Sequence, residues 1–392
     1  MAAMTAGAEL WQALCAAREA AEAPAKAASE EENSGAKSGA APGPAPGPAP
    51  DAEGLLAKTQ SCLDKDPENA SSYQDEESGA SVLMVASQLG LIEVVKTLLE
   101  RGAPWNALDR KGRCAGEYAL EAGHQAVVDL LVDHGVRAEM LLGAIEKRKL
   151  ERGPMAANED YLKSNVEYTS DEQKLMDPNG DAVMMEWERP LMQLHAQVIC
   201  QRGALTAGES SEQTPTGDVL NVGFGMGIVD SYIQEHKPRR HVIIEAHPQV
   251  YKRMLDDGWD KKPGVEIVFG RWQDRVASIG QFDGIFFDTY GEYYADLKAF
   301  QDNLPRLLRP SGVYSFFNGL CPRNIFFHGV CCQVVQLQLD HMGIEASFQP
   351  CELEADANAD DTWQGVKRRY WWNDTYYLPI CVMRPTTAAT DA

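Results

Sequence analysis

The chain has 392 residues, more than one small domain needs, and its 44% hydrophobic and 24% charged content suits folded globular structure. A net charge of −22 provides no basic footprint for displacing counterions from a phosphate backbone; it argues against nucleic acid and favours a basic partner, or simply solubility. No apolar run approaches the roughly 18–20 residues that span a bilayer, no basic-then-apolar leader opens the chain, and nine scattered cysteines form no C-x-x-C pair, so the expectation is a reduced, metal-free protein of cytoplasm and nucleus, away from membranes.

In chain order, residues 1–50 read as a low-complexity, disordered arm. A helix is conceivable over 8–23, with Leu10, Leu14 and Ala17 on one face, but GAKSGAAPGPAPGPAP over 35–50 can only be a linker. From 51 to 150 a repeat is visible. Gly79 and Gly112, Ala86 and Ala119, Gly90 and Gly123, Leu98 and Leu131, and Gly102 and Gly135 are all separated by 33 residues. That period resembles the ankyrin repeat, with a degenerate T-P-L-H opening, and predicts two repeats at 79–111 and 112–144. Two repeats cannot cover both their faces, so capping helices are expected over 52–64 and 138–149. Residues 1–76 are expected to contribute neither repeat nor sheet. The module offers either a protein-docking surface or a brace.

Residues 151–392 form the second expected domain. A polar, turn-rich connection (Gly153-Pro154, Asp177-Pro178-Asn179-Gly180) leads to a helix over 185–202, with Leu191, Leu194, Val198 and Ile199 inward and Pro190 tolerated in its first turns. Strands are predicted at 218–222, 241–245, 266–269, 284–288, 312–318, 346–349 and 377–383, with helices at 228–236, 248–259 and 296–308. This alternation predicts a parallel, doubly wound α/β sheet, Rossmann-like, with the last two strands pairing antiparallel at one edge.

The motif DVLNVGFGMG sets Gly223, Gly225 and Gly227 directly after a strand, where a backbone without side chains can turn tightly and approach a ligand. Glu245 ends the next strand, placed to accept ribose hydroxyls, and Trp272 follows the third, placed to meet an adenine ring. A nicotinamide dehydrogenase would favour G-x-G-x-x-G, but position 228 is Ile, so S-adenosyl-L-methionine is the preferred cofactor. Two further acids stand out. Asp288 ends the fourth strand, facing the crevice where open α/β sheets bind ligands, and Glu188 opens the helix before the sheet. A planar guanidinium is best gripped by carboxylates, and one of them can take the proton released on alkylation. Taken singly, Glu188 also reads as a helix-opening acid on the dipole, and Trp187, Tyr290, Met184 and Met192 as packing groups.

The blocks VMMEWERPLM, VLNVGFGMG, IIEAHP, GRW and FDGIFFDTY resemble those of guanidinoacetate methyltransferase and its relatives. With an ankyrin-type module ahead of them, residues 80 to 385 resemble the arginine N5-methyltransferases, the type IV protein arginine methyltransferases. The resemblance implies a class I S-adenosylmethionine methyltransferase domain. It implies cofactor contacts at Tyr161, Met184, Met192, Gly223, Phe224, Gly225, Met226, Gly227, Ile228, Val229, Glu245, Ala246, His247, Trp272, Gln273 and Asp288, with Asp288 and Glu188 holding the guanidinium. It also implies an arginine of a ribosomal protein as acceptor. Asn221 departs from the acid usual at that position, which orders the glycine loop, so altered affinity rather than loss of binding is expected. The acidic run CELEADANADD at 351–361 is a candidate rim for attracting a basic polypeptide, or a solvated loop. A small-molecule guanidine methyltransferase and an inactive ankyrin adaptor are the competing readings.

Overall fold

The computed structural model describes residues 4–33, 49–150, 159–201, 217–291 and 294–385. Most of the expected 35–50 linker and the Gly153-Pro154 turn lie outside the described residues. By its contacts the chain divides into two units: 1–148 with 324–330, and 149–323 with 331–392.

The first unit is all helical: α1 (Ala6–Asn33), α2 (Ala52–Lys65), α3 (Pro67–Ser72), α4 (Val82–Gln88), α5 (Ile92–Glu100), α6 (Ala115–Glu121) and α7 (Gln125–Leu150). Asp51, Asp66 and Ser81 accept amide hydrogen bonds from the first turns of α2, α3 and α4, satisfying donors that a helix leaves open. Gly90 and Gly123, at φ of +69° and +76°, turn the chain between the two helices of successive repeats.

Three expectations change here. Residues 6–33 are helical rather than disordered, and Leu10 and Leu14 are fully buried. Gly7 sits so close to α3 that a Cβ there would lie 2.5 Å from the Asn69 carbonyl, and Glu9 pairs with Lys58 at 3.0 Å. Of the stretch 1–76, α1, α2 and α3 therefore belong to the repeat core, packing against α4 and α5. At the other end, the second helix of the second repeat and its expected cap are one helix, α7. Gly135 lies inside it, where a Cβ would strike the Trp105 ring at 2.7 Å, so it serves packing and not a turn. Residues 324–330 complete this unit: Asn324 donates to Glu117 at 2.7 Å, and the Phe326 ring occupies the space that a side chain at Gly116 would need.

The second unit starts with α8 (Glu159–Leu162) and a small antiparallel sheet of β1 (Glu167–Tyr168), β2 (Lys174–Met176) and β3 (Ala182–Met185). Sequence reading took this stretch for a connection. The strands are too short to display alternation, and they are held by an Asp177 side chain that accepts from the amides of Asn179 and Asp181. A 3-10 turn, Glu186–Glu188, leads into α9 (Arg189–Cys200), with Pro190 in its first turn as expected.

The main elements follow as β4 (Asp218–Val222), α10 (Ile228–Glu235), β5 (Arg240–Glu245), α11 (Pro248–Asp256), β6 (Val265–Phe269), α12 (Trp272–Arg275), β7 (Phe282–Phe287), α13 (Tyr294–Gln301), α14 (Leu304–Leu307), β8 (Leu308–Phe316), α15 (Ile325–Asp340), β9 (Ile344–Glu352) and β10 (Thr375–Met383). The expected helix over 296–308 is split into α13 and α14, with Pro305 in the first turn of the second. Helix α15 was not foreseen. Its run IFFHGVCCQVVQLQLD is apolar on nearly every side and lacks the periodicity that marks a surface helix.

The sheet order is β6-β5-β4-β7-β8-β10-β9, parallel from β6 to β8, with β10 antiparallel to both its neighbours. Alternate residues of β4 feed opposite layers. Val219 joins Leu191, Ile228 and Met254 on one face; Leu220 and Val222 join Trp272, Phe300 and Leu339 on the other. The chain runs from β4 outward one way through β5 and β6, and the other way through β7 and β8. The carboxyl ends of β4 and β7 thus flank the switch point where such sheets form a crevice.

Because Leu14 is fully buried, Leu14→Ala should destabilise the repeat unit by about 2–5 kcal/mol, read from urea unfolding. Unchanged stability would show that α1 is not part of that core.

Candidate active site

The loop after β4 is shaped by contact with β7. Gly223, at φ +97°, lies so close to the chain after β7 that a Cβ would come within 1.8 Å of the Asp288 carbonyl oxygen. The Asp288 amide donates to the Val222 carbonyl at 2.9 Å, and the Gly223 amide to Ile244 at 2.9 Å. Beneath the loop, buried Asn221 donates through Nδ2 to the Gly223 carbonyl and to the Asp230 carboxylate, each at 2.9 Å, while His241 Nε2 lies 3.0 Å from Asp230. Here an amide at 221 bonds the loop and the neighbouring Asp230 together; an acid at 221 would face Asp230.

The loop borders a cleft with about 670 Å³ of empty space. Of the residues expected to meet a cofactor, Tyr161, Met184, Gly223, Gly225, Glu245, Ala246, Trp272, Gln273 and Asp288 line it. Glu245 is buried, accepting from the Phe224 amide at 2.9 Å and the His247 amide at 2.6 Å. Burial raises its pKa and these backbone donors oppose the rise. Glu245 thus fixes the loop itself, in addition to facing the cleft. Tyr161 stands across from it, its ring 4.8 Å from Tyr290 and 4.9 Å from His247. Trp272 lines the cleft while its ring packs edge-on against Phe287 and Phe300.

The other expected contacts sit behind this wall. Met192 is buried in the α9 core, and Ile228 and Val229 are buried in α10. Phe224 packs against Trp259 and fills the space that a side chain at Gly227 would need. The Met226 amide points to the Met184 sulfur at 3.3 Å. His247 caps α11: Nδ1 accepts from the Gln249 amide, so Nε2 carries the hydrogen toward the Ser164 carbonyl. Sequence reading did not assign Tyr168, whose hydroxyl donates to the Gly225 carbonyl at 2.9 Å, nor Thr289 and Arg271 on the cleft wall. Thr289 and Arg271 stand inside quoted motifs; Tyr168 gave no local signal.

A second cavity adjoins the first, and Asp288 lines both. Glu188 lines only the second, where it is buried. Its Oε1 accepts from the Met185 amide at 3.0 Å and from the Tyr370 hydroxyl. Burial and then the nearby Asp288 charge push the Glu188 carboxyl well above the usual carboxylate range, against the Tyr370 and Met185 hydrogen bonds; burial does the same to Asp288. A positive charge placed beside these two acids would relieve both the burial and the mutual repulsion.

The mouth of this cavity differs from expectation. None of the acidic run at 351–361 lines it; the same loop instead contributes Arg368, Arg369, Tyr370 and Trp372, joined by Arg323. Asp181 binds Arg368 through Nε at 2.9 Å, and the Arg323 guanidinium lies 4.3 Å over the Trp372 ring. The reason is packing: Trp363 and Tyr370 fold together with ring centroids 4.9 Å apart, which turns the 368–372 stretch inward.

The guanidinoacetate N-methyltransferase family profile matches residues 154–326, and a profile of three ankyrin repeats matches 55–140. Protein arginine N-methyltransferase 2 of Yarrowia lipolytica is 38% identical over 279 residues, covering 67% of this chain and 57% of that protein. The Aspergillus oryzae protein of the same name is 34% identical, covering 73% and 77%, and that of Saccharomyces cerevisiae is 34% identical, covering 74% and 77%. The three-repeat match agrees with the extra helical pair α2 and α3 ahead of the two repeats read from the sequence.

Asn221→Asp should lower the thermal midpoint and weaken cofactor binding, because it sets a second acid against Asp230 and removes the donor to the Gly223 carbonyl. The double variant Asn221→Asp/Asp230→Asn should recover part of both losses. Calorimetry tests this; a single variant as stable as the parent would dismiss the acid-placement argument.

Proposed function

The chain belongs to the protein arginine N-methyltransferase 2 family and is an S-adenosylmethionine-dependent methyltransferase, and from that premise we propose that it methylates the δ (N5) nitrogen of an arginine within a protein, a ribosomal protein being the first to test. The observation that carries this reading is the position of Asp288, the single acid common to the glycine-loop cleft and the cavity holding Glu188.

The cleft suits the cofactor on this chain's own geometry. Side chains at Gly223, Gly225 or Gly227 would collide with Asp288, Met184 or Phe224, so the backbone is held open at the crevice, with the Glu245 carboxylate and the Trp272 ring beside it. When bound, S-adenosylmethionine supplies an electrophilic methyl group. Gly223, Gly225, Glu245, Ala246, Trp272 and Gln273 would hold it, with Tyr161 and Tyr290 covering the cleft.

The protein's own part is to prepare the nitrogen. Glu188 and Asp288, ionised, hold the terminal nitrogens of the cation and localise its charge there. That frees the internal nitrogen's lone pair for attack. As the new C–N bond forms at the expense of the donor's methyl–sulfur bond, with a neutral thioether as leaving group, that nitrogen would lose its proton to Asp288, the acid that reaches the cleft. Pairing with the bound cation lowers both acids' pKa values, and burial keeps them basic enough to accept a proton near neutrality.

A second reading is favoured by the basic mouth. Arg323 and Arg369 would suit an acceptor with a carboxylate beside its guanidinium, such as a guanidino acid. Incubation with labelled cofactor, a basic protein extract and guanidinoacetate, followed by mass spectrometry of methylarginine isomers, separates the two. N5-methylarginine in protein supports the first; label confined to the small acid, or to terminal nitrogens, overturns it.

Asp288→Asn should retain folding and cofactor affinity while lowering turnover by about 10²–10⁴-fold, the usual worth of a placed base. Near-normal turnover would remove the proton-acceptor role.

The pH response follows from both pKa values being raised. The grip requires ionised acids, so kcat/KM should fall as pH drops through neutrality. Stability behaves oppositely. An acid raised in the folded state costs nothing below its unfolded pKa of about 4 and becomes a growing penalty as pH rises above it. Glu188→Gln should therefore be inactive yet more heat-stable than the parent at pH 8, with little difference near pH 4. Melting curves at both values check this, and a variant less stable at pH 8 would contradict the burial cost.

A further inference from the structure

Glu188 has one oxygen committed to the protein. Oε1 accepts from the Met185 amide at 3.0 Å and from the Tyr370 hydroxyl. A carboxylate oxygen offers two in-plane lone pairs, so Oε1 is full. Among the described residues no donor reaches Oε2. The direction of the Tyr370 hydrogen is fixed by a third group. Trp187 Nε1 lies 3.2 Å from the Tyr370 oxygen and can only donate, so that oxygen receives the indole hydrogen and sends its own to Glu188. Burial and the adjacent Glu188 hold the Tyr370 phenol far above its ordinary pKa, so it remains a donor.

We infer that Tyr370, oriented by Trp187, is a positioning residue that sets nitrogen selectivity: by saturating Oε1 it leaves Glu188 a single acceptor, Oε2, for the substrate. This rests on the guanidinium-grip reading above. Asp288, with no side-chain hydrogen bond among the described residues, can offer two oxygens, whereas Glu188 offers one. The planar cation then has three acceptor positions to meet, and only one in-plane orientation satisfies all three. A free Oε1 would supply a fourth and permit the cation to rotate, bringing a terminal nitrogen toward the methyl donor in place of the internal one.

The test variant is Tyr370→Phe, which removes one oxygen and preserves the ring that packs against Trp187 and Trp363. The charged and titratable neighbours remain in place: Asp288 after β7, Tyr376 on β10, Asp181 beside β3, and Arg323, Arg368 and Arg369 at the mouth. The probe is a pooled library of arginine-containing peptides with methyl-labelled S-adenosylmethionine, read by the ratio of N5- to terminal-nitrogen methylarginine and by the pH profile of kcat/KM.

The expected result is a drop of at least tenfold in the isomer ratio, with the acid limb moved to higher pH because Glu188 has lost a hydrogen bond that favours its charge. Cofactor Kd should stay within twofold of the parent. Trp187→Phe, which frees the Tyr370 hydroxyl to rotate, should shift both readouts in the same direction but less, and serves if the first variant fails to fold. An unchanged isomer ratio and a superimposable pH profile in an active Tyr370→Phe enzyme would overturn the positioning role and leave the grip reading intact. A parent enzyme that methylates no guanidinium in the library or in guanidinoacetate would overturn both.

Discussion

Two carboxylates, Glu188 and Asp288, line one cavity, and the elements around it hold them there. Glu188 is buried at the N-terminus of α9, and Asp288 sits where β7 ends. Removing two such groups from water is expensive, and their charges repel. The pair is tolerable because a proton can stand in for the missing cation, which is what the raised pKa values mean. On the proposed function, a guanidinium held between the two acids would relieve the same cost.

The sheet topology makes this arrangement productive. Asp288 belongs to both cavities because β7 is the neighbour of β4, and Gly223 lets the two strand ends approach to backbone contact. A side chain at Gly223 would force the ends apart and separate the acceptor acid from the cofactor cleft. The Asn221 amide, which bonds both the Gly223 carbonyl and Asp230, holds the loop from below. Loop, acid and cleft therefore form one mechanical unit at the switch point of the sheet, and the small β1–β3 sheet closes over it through Tyr168 and Met184.

The cavity mouth reverses the charge pattern of its floor. Arg323 and Arg369 lie over Trp372 and Trp363, while among the described residues the acidic run that looked like a rim from the sequence does not line the opening. On the proposed function, an acceptor would pass these arginines on its way to the acids below, and the net charge of −22 would favour a basic partner at long range.

Local features were legible in the chain because local physics produces them. The 33-residue period, the period-two strands, the glycine loop after β4 and the strand-end acids all follow from the spacing of neighbouring residues. The helix α15 was not legible, since its apolar residues are spread over nearly every side and leave no amphipathic signature, and β1–β3 were too short to show one. Residues 6–33 were misjudged because α1 is held by distant segments, as where the Gly7 amide meets Asn69, 62 residues away. Asp288 and Glu188 could be nominated as acids, yet their meeting was suggested only by resemblance to a family. What tertiary structure alone decided is which atoms remain free: Tyr370 reaches Glu188 across 182 residues and uses up one oxygen. Periodicity fixes the face on which a side chain lies, whereas the lone pair left for a substrate is fixed by packing between segments that share no local pattern.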